Sequence, residues 1–227
     1  MTTDSSDHQG AREGHVSVGQ ARLYSREIGQ GVPIVVLHGG PDFDHNYLLP
    51  EMDRLSDSFR LIYYDQRGRG RSADGVEPEE VGIDSDVEDL EALRRWFDLG
   101  SIVVLGHSWG GVLAMEHAVR HPDHVSHLVL MNTAPASHRD RQLLRDHFHD
   151  IRPASDAERM ASLRATTAYT DGDLEVEAEY YRIHYGPALP RPEQVDRVVG
   201  RLRTHFTGER PGAGLAPTRH PHPRPPR

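Results

Sequence analysis

Cysteine is absent from the 227-residue chain, which removes disulfides, thiolate metal sites and a thiol nucleophile together. The absence fits a cytoplasmic protein. No apolar run approaches the roughly 20 residues that a membrane-spanning helix needs, so no membrane partner is expected. Met1 to Gly14 have neither the basic start nor the apolar stretch of a secretory signal, and a short disordered leader is expected over 1–14. Apolar residues are scarce, at 36% of the chain with a mean hydropathy of −0.64, so part of the chain is expected to lie outside a packed core. Basic charge is also in deficit. The net charge of −9 leaves no basic stripe to neutralise phosphates, and nucleic acid is not an expected partner. No cofactor is expected.

What apolar content there is comes in short runs. Val32 to Leu37, Phe59 to Tyr64, Ser101 to Leu105 and Val125 to Met131 are continuous aliphatic and β-branched segments, the pattern of strands buried on both faces of a parallel sheet. His15 to Ile28 alternates roughly and suits an antiparallel edge hairpin. Helical patterns lie between the runs. Ser85 and Glu88 have the spacing of a capping box, ahead of Val87, Leu90, Leu93, Trp96 and Phe97 at helical intervals. A second helix is expected from Trp109 to Arg120, stopped by Pro122. Strand and helix alternating in this way predict an α/β core over 15–138 with right-handed crossovers. Residues 139–205 are charged and helical, with no convincing strand, as a helical cap or a separate helical domain would be; a cap is the expected reading. Residues 206–227 are rich in Pro, Arg and Gly and have little to bury; a disordered tail is expected there.

Gly106-His107-Ser108-Trp109-Gly110 is a G-x-S-x-G sequence placed after a buried strand and before a helix. That setting is a nucleophile elbow. Gly106 and Gly110 leave room for a turn too tight for a Cβ, and the turn lifts the Ser108 hydroxyl above the sheet. The amide of Trp109, at the start of the helix, then faces a developing oxyanion. His38-Gly39-Gly40-Pro41 follows the first buried strand, where Gly39 and Gly40 let backbone amides approach a carbonyl and Gly40 supplies the second oxyanion donor.

These two motifs, with Asp65-Gln66-Arg67-Gly68-x-Gly70-x-Ser72 between them, resemble the proline iminopeptidase group of α/β hydrolases, peptidase family S33. The resemblance runs from about Val18 to Pro135 and continues more weakly into the helical segment. It implies the α/β-hydrolase fold and a serine hydrolase that removes an N-terminal residue, often proline, from short peptides through an acyl-enzyme on Ser108. It implies a structural turn at Asp65 to Gly68, with no catalytic step. Relatives with the same motifs cleave esters, amides or lactones. Dehalogenase and epoxide hydrolase relatives carry aspartate where Ser108 stands, which argues against both. One position departs from the family pattern HGGPG: Asp42 replaces its last glycine, and a solvated loop carboxylate is the expected reading.

The resemblance also makes a gap visible. The triad of this fold runs Ser, Asp/Glu, His in chain order, with the last two on loops after the cap. The strands that would carry those loops are not in the sequence. The triad acid and base therefore stay unassigned, and the alternative to an enzyme is a truncated, catalytically impaired remnant. His107 should point away from the nucleophile, and His38 should structure its own loop. His205, His220 and His222 follow in the right order but on a segment with no scaffold. His121, His124 and His127 straddle a proline without a carboxylate at ligand spacing, so solvated histidines rather than a metal are expected. A bare Val125–Met131 edge predicts marginal stability or self-association.

Overall fold

The computed structural model describes residues 10–40, 43–189 and 191–202. Its six-stranded sheet has the order β1-β2-β4-β3-β5-β6, with β1 (Arg12–Val18), β2 (Ala21–Ile28), β3 (Val32–Leu37), β4 (Phe59–Tyr64), β5 (Ile102–His107) and β6 (Val125–Met131). Strands β4, β3, β5 and β6 are parallel to one another. The β1–β2 hairpin is antiparallel and joins the sheet through β2 against β4. It begins earlier than the sequence suggests. Arg12 reaches Glu27 across the hairpin at 2.7 Å, so 12–14 belong to the sheet rather than to a leader. The rest of the expected leader, 1–9, and the expected tail from 206 lie outside the described residues.

Alternation along the buried strands divides the core into two layers. Val35 and Leu37 of β3 face Ile62, Tyr64, Ile102 and Val104, covered by Val87, Leu90 and Leu93 of α1 (Ile83–Trp96) and Leu113 of α2 (Trp109–Arg120). Ile34 and Val36 face the other way, with Leu61, Tyr63 and Leu105, under the segment carrying Leu48 and Met52. That second layer contains a buried ion pair. Arg26 of β2 forks onto Asp53 through bonds of 2.9 and 2.8 Å, and the Tyr63 hydroxyl donates to the same carboxylate at 2.9 Å.

The start of α1 corrects one detail. Ser85 is not the N-cap; its hydroxyl accepts from the Gly82 amide at 3.0 Å, which makes it the reach-back member at the third helical position. The helix therefore starts two residues before the expected cap. Helices α3 (His138–Ile151), α4 (Ala154–Arg164), α5 (Thr167–Thr170), α6 (Leu174–Tyr185) and α7 (Pro192–Leu202) follow β6, and no strand follows Met131 among the described residues. They reach the core through Phe43, whose ring meets Tyr181 of α6 at 5.4 Å, and through Arg201 of α7, bound to Glu51 at 2.6 Å. Strand β6 forms the sheet edge. Leu128, Val129 and Leu130 are 37%, 42% and 45% exposed, so among the described residues β5 has one strand between it and solvent.

Candidate active site

The sharpest local feature lies between β5 and α2. Ser108 has φ 53° and ψ −114°, a left-handed backbone that non-glycine residues rarely adopt. Neighbours hold it there. The Ser108 amide donates to the Met131 carbonyl and the Ala134 amide to the Ser108 carbonyl, both at 3.1 Å. The flanking glycines are required by contact: a Cβ on Gly106 would strike the Gly110 carbonyl, and one on Gly110 would strike the Leu37 carbonyl of β3. These obstacles are backbone and cannot swing aside. Gly110→Val is therefore expected to exceed the ~1–3 kcal/mol typical of overpacking, seen as a steep fall in soluble yield and melting temperature. Wild-type values for both would show that no tight elbow exists here.

Opposite the elbow lies the loop after β3. Gly40 has φ 145°, which favours glycine, and a Cβ on Gly39 would come within 3.1 Å of the Ser108 Cβ. The loop is therefore directly against the serine. His38 anchors it from below. Its buried ring accepts from the Gln66 amide through Nε2 at 3.0 Å, so Nδ1 carries the proton and donates to the Gly39 carbonyl at 2.7 Å. Burial pushes the His38 pKa down to about 4, so the ring is neutral at pH 7. From above, the Tyr47 hydroxyl accepts from the Gly39 amide at 2.6 Å and donates to His107 Nδ1 at 2.6 Å. Nothing in the sequence marks Tyr47 as special; only the fold brings it to a histidine 60 residues away.

The Asp65 turn braces this loop, with Gln66 bonded to the His38 ring and carbonyl. Burial alone would raise the Asp65 pKa, but the His45 ring, 2.6 Å from Oδ1, and the Arg71 amide outweigh it and hold the value near 2. Arg67 and Arg69 extend the brace to Asp89 and Asp86 of α1. Gly70 leaves the space that Asp65 and Asp44 fill.

The structure thus brings His38, Gly39, Gly40, Gly106, His107, Ser108, Trp109 and Gly110 to one end of the sheet. Pro41, Asp42, His205, His220 and His222 lie outside the described residues. Among the described residues no histidine is hydrogen-bonded to the Ser108 hydroxyl, and His107 is engaged by Tyr47 instead. The histidines after α2 separate: His127 stands exposed on β6, while His121 and His124 stack at 5.6 Å. A carboxylate does reach those two, contrary to the reading from local spacing: Glu91 arrives from α1. Among the described residues no helix is long and apolar enough to cross a membrane.

A strand–elbow–helix unit on a mostly parallel sheet defines an α/β hydrolase, and the profile of that fold family matches residues 32–165; the chain belongs to it. Within the family it is similar to proline iminopeptidases. That of Saccharolobus solfataricus is 39% identical over 110 residues, covering 48% of this chain and 35% of the relative. That of Clostridium botulinum is 34% identical over 131 residues, covering 55% and 44%. The crystal structure of the Mycobacterium smegmatis proline iminopeptidase superposes with a TM-score of 0.63 at 28% identity, over 86% of this chain and 68% of that one. The chain spans less than half the length of the first two relatives.

Proposed function

We propose that Ser108 is the nucleophile of a serine hydrolase acting on the carbonyl of an N-terminal residue, proline foremost, in short peptides. The observation that carries this reading is the Ser108 backbone, held left-handed between β5 and α2 against the Gly39–Gly40 loop. In this reading the serine oxygen attacks the carbonyl carbon and the oxyanion forms between the Gly40 and Trp109 amides. Trp109 opens α2, so its N–H has no helical carbonyl four residues back and remains available. Collapse releases the amine and leaves an acyl-enzyme, which water hydrolyses. Tyr47 takes the Gly39 amide, leaving the oxyanion to the Gly40 amide. The similarity to proline iminopeptidases supports the substrate class.

The proton of Ser108 needs an acceptor, and the described residues place none beside it. That observation favours slow turnover: loss of a triad member in this chemistry leaves roughly 10³–10⁴ over water from the oxyanion hole and binding. A fluorophosphonate probe is expected to modify Ser108 selectively, and Ser108→Ala to abolish both modification and any prolyl-arylamide hydrolysis while melting like the wild type. Peptide mapping locates the label. Modification of a different serine, or hydrolysis surviving in Ser108→Ala, would overturn the assignment. Turnover equal to that of a full-length relative would place a working base within 203–227.

A further inference from the structure

We propose that Glu91, His121 and His124 bind one divalent transition metal of the zinc type, at the end of the sheet opposite Ser108. Glu91 projects from α1, His121 caps the C-terminus of α2, and His124 ends the turn that follows. One donor atom from each lies within 4.8 Å of the other two. Zinc holds nitrogen and oxygen ligands at about 2.0–2.2 Å, which puts tetrahedral ligands roughly 3.3 Å apart. His124 Nδ1 is already 3.1 Å from Glu91 Oε2. His121 is partly exposed and its ring stacks on that of His124 at 5.6 Å.

The state of these atoms points to a cation. His124 Nδ1 is shielded from solvent and faces Glu91 Oε2 at 3.1 Å. Once deprotonated, that nitrogen and the carboxylate oxygen are two of the donors a zinc ion needs. Glu91 is ionised. Its carboxylate accepts from Arg94 and lies against the His117 ring. Fully buried His117 fixes Oε1 through Nε2 at 2.8 Å, the kind of outer contact that orients a ligating carboxylate. Arg94 touches Oε2 at 3.1 Å and competes with the metal, which limits affinity without closing the site. Two histidines and a glutamate leave a fourth position for water. The twelve residues of α2 separate the site from the elbow by about 18 Å, so the metal would clamp α1 to the turn before β6 and take no part in hydrolysis.

Zinc chloride added to the purified full chain tests this. At about 100-fold excess over its dissociation constant, zinc is expected to raise the melting temperature by about 5 °C or more, and magnesium to leave it unchanged. The His121→Ala/His124→Ala double variant alters two partly exposed side chains and is expected to fold and lose the rise. Exposed histidines elsewhere can bind zinc without stabilising the fold, so melting rather than uptake is the readout. Cobalt substitution gives an independent signature, intense visible bands of a four-coordinate site present in the wild type alone. No zinc-dependent rise, or an equal rise in the double variant, would overturn the proposal.

Discussion

Asp53→Ala is expected to destabilise the chain by about 3–5 kcal/mol, the usual result of removing one member of a buried ion pair. Arg26 and Asp53 are 5% and 4% exposed, so the guanidinium left behind is shut off from water, with only Glu13 at 3.8 Å to answer its charge. Domains are typically stable by about 5–15 kcal/mol, so this single change approaches the whole margin. Urea unfolding followed by circular dichroism measures it. The control is the double replacement Arg26→Met/Asp53→Leu, which removes both charges and is expected to recover most of the loss. If Asp53→Ala unfolds within 1 kcal/mol of wild type, the pair is not closed to solvent.

Acid is expected to weaken the fold well above the carboxylate range, because burial lowers the pKa of His38 most and of His107, His117 and His184 in the same direction. An unfolded histidine takes up its proton near pH 6.5, whereas burial holds the folded His38 ring neutral down to about 4. Between those values the unfolded chain binds the extra proton, so stability falls as pH falls. The full difference is about 3 kcal/mol, at 1.36 kcal/mol per pKa unit, and it accumulates from pH 6.5 to 4. Asp65 adds a second stage. Its folded pKa near 2 lies below the ordinary 3.8, so its contribution is complete above about pH 4 and disappears as pH falls through 2. Urea midpoints measured from pH 7 to 4 should drop steadily, and NMR titration of the His38 ring should show no protonation above pH 5. A flat midpoint over that interval would mean that the ring titrates in the fold as it does in water.

Both effects reside in contacts that local sequence does not display. Strands β3, β4 and β6 were legible to the residue, because a mostly apolar run of six or seven residues is what a buried strand of a parallel sheet requires. β6 keeps that apolar signature although its middle residues are exposed. The elbow was legible too, since G-x-S-x-G gains its meaning from the strand before it and the helix after it. Helix starts were less so. Ser85 suits either end of a capping box, and only the Gly82 contact decides which. Arg26 with Asp53, Tyr47 with His107, and Glu91 with His124 pair across 27, 60 and 33 positions. Spacing rules describe neighbours along one element, and these partners meet only after the sheet has assembled.

The left-handed backbone at Ser108 sets two requirements against each other. A non-glycine residue in such a conformation costs on the order of 1–3 kcal/mol, whereas glycine adopts it freely. Folding alone would favour glycine at position 108, and only a need for the hydroxyl favours serine. The proposed nucleophile is thus a position where loss of function would be rewarded with stability. On that proposal, a lineage released from the need to hydrolyse anything would gain by replacing this residue.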